Sequence, residues 1–288
     1  MREYSYYPGC SAKGLAKAYE ASVLSVFQYL GLTLHELEDW NCCGATFFND
    51  IDGYLAVGLA SRNLCLAEKR GLDLVAPCSA CFLGLLKAKD KMENNTEIRE
   101  RVLKGFEAAG LKYNGTAKIR HPLEVVINDV GLDKISEHVT HKLEGLRIAP
   151  YYGCQLVRPY SDFDDPMYPV SMDRLFHALG AEVTDYGCKT RCCGGALTGT
   201  VEDVGLRLNY ILLHEAQRSG ADCIVTVCPL CLFNLESYQK KINKLYGASF
   251  NIPILYFTQV MGLAFGIAHK KLGIEKAIIS PEHLFATV

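Results

Sequence analysis

Thirteen cysteines dominate the chemistry available to this chain, and ten of them form a pattern. Cys42, Cys43 and Gly44 are followed by Cys78 and Cys81, and the set returns 150 positions later as Cys192, Cys193, Gly194, Cys228 and Cys231. Upstream, Cys10 in Tyr-Tyr-Pro-Gly-Cys pairs with Cys154 in Tyr-Tyr-Gly-Cys at an offset six residues smaller, as a loop of different length would give. Soft thiolates select zinc or iron-sulfur clusters. Five repeated cysteines per half exceed the four that close a tetrahedral zinc site and the four of a cubane, and the regular ferredoxin spacing is absent. The count points to two atypical clusters, one per half. A redox dithiol or a zinc knuckle stays open for either Cys-x-x-Cys taken alone, and with it a third reading of the protein as a zinc-binding scaffold.

The remaining three cysteines fail the repeat. Cys65 falls within an expected helix and Cys223 within an expected strand, where free cysteine acts as a small apolar filler; Cys188, four residues before Cys192, is left open between packing and participation.

The elements that must position these thiols repeat as well. Tyr19, Val23, Val26, Phe27 and Leu30 match Tyr168, Met172, Leu175, Phe176 and Leu179 as a helical stripe, each stripe ending in glycine, Gly31 or Gly180. Short strands over 4–7 and 147–151 deliver Cys10 and Cys154. Helices near 53–70 and 204–218 lead into apolar strands over 72–76 and 223–227, whose ends carry the Cys-x-x-Cys motifs. Adjacent side chains on a strand point to opposite faces, so Cys42 with Cys43 can act together only where the backbone turns; Gly44, and Gly194 with Gly195, supply that freedom. At Cys78 and Cys228 a strand gives way to a helix, whose free N–H groups favour thiolate charge. The expected fold is α/β: two pseudo-symmetric Rossmann-like halves from an internal duplication, 1–145 and 146–288, with the charged segment 94–145 bridging them. A strand over 254–257 and a buried helix capped by Thr258 follow in the second half.

Composition narrows the function. With 288 residues, 49% of them apolar and 22% charged, the chain builds an ordinary core and needs no disulfide staples. Thirty basic against thirty-two acidic residues give a net charge of -2, without the basic footprint of a nucleic-acid binder. The apolar stretch 252–268 is interrupted by Pro253, Thr258 and Gln259, so no direct membrane span is expected. The opening residues show no basic segment followed by an apolar run, and a cytoplasmic location is expected.

Pro8-Gly9-Cys10, Asn41-Cys42-Cys43-Gly44, Cys78-x-x-Cys81, the second set ending at Cys231 and Leu255-Tyr256-Phe257-Thr258-Gln259 together resemble the duplicated Cys-Cys-Gly family, and within it the B-type subunit of the heterodisulfide reductases of methanogenic archaea. The likeness covers nearly the whole chain. It implies two noncubane [4Fe-4S] clusters held by the ten repeated cysteines and flanking a substrate disulfide, the mixed disulfide of coenzyme M and coenzyme B, which is reduced to two thiols. It also implies partners: the C-type iron-sulfur subunit of heterodisulfide reductase, its A-type flavin subunit, capable of electron bifurcation, and often a hydrogenase. Relatives with the same motifs serve quinone-, succinate- or fumarate-linked and sulfur-linked oxidoreductases, so an electron-relay role is the alternative. Lys13 and Arg158 follow Cys10 and Cys154 by three and four residues and are the expected holders of anionic substrate ends, with His121, Lys189 and Arg191 as secondary candidates.

Overall fold

A computed structural model describes residues 2–45, 48, 51–160 and 163–285. Its first half runs β1 (Arg2–Tyr6), α1 (Gly9–Lys13), α2 (Lys17–Tyr29), β2 (Leu32–Glu36), α3 (Gly53–Arg70), β3 (Leu74–Val75), α4 (Ser79–Asn94), α5 (Thr96–Ala108), β4 (Ile119–Arg120), α6 (Pro122–Val125) and α7 (Leu132–Glu137). The second runs β5 (Arg147–Tyr151), α8 (Ser171–Ala178), β6 (Glu182–Val183), α9 (Leu197–Thr200), α10 (Glu202–Arg218), β7 (Cys223–Thr226), α11 (Pro229–Ser237), α12 (Gln239–Tyr246), β8 (Ile254–Tyr256), α13 (Phe257–Ala264) and α14 (His269–Leu272).

Two parallel four-stranded sheets result, ordered β2-β1-β3-β4 and β6-β5-β7-β8. This mixed α/β architecture of two similar halves is the one expected from the repeat. In such an order the chain leaves the first central strand toward one side of the sheet and later turns to the other, opening a crevice at the strands' carboxyl ends. Cys10 and Cys78 emerge there from β1 and β3, and Cys154 and Cys228 from β5 and β7.

The segment 94–145, expected as a bridge, contributes β4, which hydrogen-bonds to β3. Its sequence signal is weak because the strand has two residues and one of them is the buried cation Arg120. The guanidinium is matched by Glu124 (2.6 Å), Asp73 (3.0 Å) and Asp129 (3.1 Å). Thr258, expected as the cap of α13, instead lies inside the helix and hydrogen-bonds Ser22 across 2.6 Å. Tyr256 is the N-cap, with its N–H donating to Gln259 Oε1 at 2.9 Å.

The halves exchange helices. Both α13 and α14 of the second half pack on α2 of the first, while α7 packs on α8. Tyr19 stacks on Tyr256 with ring centroids 4.1 Å apart, and its hydroxyl donates to Val227 O, the residue before Cys228. One apolar cluster therefore runs through both sheets. Gly273 closes this seam: its φ is +66°, and a Cβ there would lie 2.8 Å from Ala18 Cα of α2. Gly273→Ala is expected to destabilise the fold by about 1–3 kcal/mol through overpacking and left-handed strain, read as a lower urea midpoint with an unchanged m-value.

Candidate cysteine site

In each half a glycine without a side chain makes room for a buried thiol. A Cβ on Gly9 (φ +71°) would sit 3.1 Å from Cys81 Sγ, and one on Gly153 (φ +69°) 3.2 Å from Cys231 Sγ. The thiols of Cys43 and Cys81 are 3.2 Å apart, those of Cys193 and Cys231 3.5 Å, and all thirteen cysteines are free of disulfides. Cys42 and Cys192 accept hydrogen bonds from Gly44 N–H (3.4 Å) and Gly194 N–H (3.2 Å), so the turn after each Cys-Cys pair folds back on its first sulfur. Cys78 and Cys228 are the N-caps of α4 and α11, and each lies near enough to the other across the two halves to shift its thiol. The two sets thus meet at the boundary between the sheets.

Where thiols crowd, an S–H donated to a neighbouring sulfur lowers the acceptor and raises the donor. The Cys43 thiol is pulled down to about 3, first by its hydrogen bond from Cys42 and then by Cys81, while Cys42 is pushed up. Cys192 falls to about 6, chiefly through Cys154, and Cys193 falls through Cys231. Each half therefore carries thiolate character in a largely buried pocket, as a soft cation centre requires. Among the described residues, no three Cys, His, Asp or Glu side chains close on one point as ligands of a single ion would. Pairs of thiols around a recess fit a larger polynuclear group better than one ion.

A cavity of about 480 Å³ opens beside the first set, between Cys10, Cys42 and Cys78 on one side and Leu230, Phe233 and Glu236 of α11 on the other. Its size suits a small organic molecule. The Glu236 carboxyl is pushed up by burial and accepts N–H bonds from Ile278 (2.8 Å) and Ile279 (3.2 Å), which holds the following chain along the cavity.

The expected cations fall in different surroundings. Lys13 is shared between Glu20 and Glu36, each at 2.8 Å. Arg158 donates to Thr190 O, two residues before Cys192, and has no carboxylate partner among the described residues. Lys189 pairs with Asp173, and Arg191 is exposed. His121 is fully buried and held neutral by burial, at about 4, with Nδ1 accepting from Leu123 N–H and Nε2 donating to Pro77 O, next to Cys78. Cys65 and Cys223 are completely buried in the apolar core; Cys188 is buried with its thiol pushed up, mainly by desolvation. Sequence reasoning misses two buried asparagines, Asn209 and Asn234. Both bind Cys193 O, and at the offset of 150 they stand where the first half has Leu59 and Gly84, a break in the repeat that the offset makes visible.

Thiols at the switch point of two duplicated parallel sheets define the class: the chain belongs to the Cysteine-rich domain (CCG) family, which matches residues 4–85 and 148–236. Within that class it is a relative of the B-type subunit of heterodisulfide reductase over nearly its full length. It is 35% identical to a protein of Archaeoglobus profundus that is itself described as like that B-type subunit (94% of this chain, 93% of the relative). It is 30% identical to the B-type subunit of the ferredoxin:CoB-CoM heterodisulfide reductase of Methanosarcina mazei (100% and 97%). It is also 31% identical to the 8-methylmenaquinol:fumarate reductase membrane anchor subunit of Wolinella succinogenes (99% of each). Among the described residues, no helix is long and apolar enough to cross a membrane. A hypothetical protein from Helicobacter pylori shares the fold with a TM-score of 0.77 at 17% identity; 97% of this chain spans 52% of that one.

Proposed function

We propose that this chain is the disulfide-reducing subunit of a multi-subunit oxidoreductase, with two noncubane [4Fe-4S] clusters, one in each of the units 1–145 and 146–288. Cys10, Cys42, Cys43, Cys78 and Cys81 would hold the first, and Cys154, Cys192, Cys193, Cys228 and Cys231 the second. Such clusters supply one-electron transfer, and two of them together match the two electrons that opening a disulfide to two thiols consumes. The observation that carries the reading is the placement of the cavity, walled by the first cysteine set and by the helix that starts at Cys228.

The chain's own residues have defined tasks. Apolar walls from Leu230, Phe233 and Tyr256 exclude water from the reacting sulfurs. The nearness of Cys78 to Cys228, each shifting the other's thiol, brings the two sets to adjoining positions, so electrons need not cross the sheets. Arg158, without a carboxylate partner among the described residues, is the stronger of the two expected cations for an anionic substrate end, such as a sulfonate, carboxylate or phosphate. Lys13 already has two carboxylates. The mixed disulfide of coenzymes B and M fits this chemistry, with electrons delivered by an iron-sulfur subunit from a flavin subunit.

The likeness to the fumarate reductase subunit favours a second reading, in which the same clusters relay electrons within a quinone-linked complex. Anaerobic preparation followed by metal analysis is expected to give iron rather than zinc. Mixing the reduced protein with the mixed disulfide is then expected to bleach the reduced state and release two thiols; oxidation by a quinone but not by disulfides would establish the relay instead.

A further inference from the structure

The two halves differ at the sulfur that their Cys-Cys pairs bury most deeply. Cys193 lies against Asn234, which is fully buried. Thr198 donates its hydroxyl proton to Asn234 Oδ1 at 2.9 Å, which fixes the amide's orientation. Nδ2 therefore points at the turn, donating to Gly195 O (2.8 Å) and reaching Cys193 Sγ (3.5 Å) and Cys193 O (3.4 Å). A Cβ on Gly205 of α10 would fall 2.6 Å from Thr198 N, so the absence of a side chain there is what lets Thr198 take this place.

At the matching place in the first half stands Gly84, which has no side-chain donor. It borders a small space of about 70 Å³ beside Cys43, Ala45 and Lys91. The tyrosines bond mainly elsewhere, Tyr7 giving its proton to Asn41 O (2.9 Å) and Tyr151 to Arg191 O (2.8 Å), although Tyr7 also reaches Cys43 as the smallest of the influences that lower its thiol. The cations add to the difference between the halves. Arg158 stands near Cys192 and has no carboxylate partner among the described residues, whereas Lys13 is matched by two carboxylates. Lys87 and Lys91 flank the first set, the first exposed and the second half-buried, so water screens their charge more than it screens a buried N–H bond on the sulfur itself.

We propose that Asn234 sets a difference in redox potential between the two cysteine sites, making the second-half site the easier to reduce. This rests on the cluster reading given above. A donor aimed at a ligating sulfur stabilises the more negative, reduced state and so raises the potential. One electron gained at the second site is one lost from the first site or from the donor protein, and no atom or proton moves with it. The effect of one such bond is about tenfold in the one-electron equilibrium, equivalent to about 59 mV.

The test uses the full chain, prepared anaerobically, as wild type, Asn234→Leu and Asn234→Ser, with iron analysis first and then a potentiometric titration followed by visible absorbance and electron paramagnetic resonance. Wild-type protein is expected to show two reduction steps. Both variants should keep their iron and move the higher step down by about tenfold in equilibrium, leaving the lower step in place. Iron retained with both steps unmoved would overturn the proposal and leave the cluster reading standing. Iron lost from one site only would make Asn234 a structural support and also overturn it. Wild-type protein without iron would remove the cluster reading and this inference together.

Discussion

Cys78→Ser and Cys228→Ser are each expected to lower disulfide-dependent turnover by more than about 100-fold, because loss of an outer hydrogen bond at a metal site already costs roughly 10- to 100-fold and these are proposed direct ligands. The two residues stand at the N-cap positions of α4 and α11 and shift each other's thiols across the halves, so one substitution disturbs both sites. Iron per chain should fall in each variant while the circular dichroism spectrum stays that of the folded protein. Cys65→Ala is the control: this thiol is buried in α3 away from both sets and should keep its iron. Equal iron and equal turnover in Cys78→Ser, Cys228→Ser and Cys65→Ala would remove the ligand assignment.

Arg120→Ala is expected to destabilise the chain by about 3–5 kcal/mol, the usual consequence of removing one partner from a buried ion cluster. The side chain is 5% exposed and faces three carboxylates, so its loss leaves the part-buried Glu124 without its ion-pair partner and Asp129 with only the exposed Arg2 at 3.4 Å. Asp129 also accepts from Tyr4 at 2.6 Å, tying β1 and β4 to one point. Burial alone would raise the Asp129 carboxyl, but the hydrogen bonds from Tyr4 and Arg120 bring it below the ordinary aspartate value. A carboxyl held low in the folded state contributes stability at neutral pH. That contribution is lost as pH falls below about 3.9 and through the lower folded value. The wild-type protein should therefore lose stability on acidification through this window, and Arg120→Ala should lose less. Urea midpoints measured across pH 2–7 check both statements; parallel curves for the two proteins would show that Arg120 is not what holds Asp129 ionised.

Much of this protein is legible from residue spacing. The offset of 150 between cysteine sets, the paired helical stripes and the strands running into Cys-x-x-Cys determine an α/β duplication, because helix and strand periods and turn glycines are local properties. The weakest signals come from β4, where two residues and a buried Arg120 offer no alternation, and from Thr258, whose hydroxyl is used by Ser22 more than 200 positions away rather than by its own helix.

Only the tertiary structure decided what the repeats do to each other. Equivalent spacing placed Lys13 and Arg158 at nearly the same point after their cysteines, yet Glu20 and Glu36 take the charge of one and no described carboxylate takes the other. Spacing measures distance along the chain, whereas charge and hydrogen bonding act through space, where folding brings distant residues together. For the same reason the influence of Cys78 and Cys228 on each other, the passage of α13 and α14 onto α2, and the amide of Asn234 beside Cys193 appear only once the two sheets are packed.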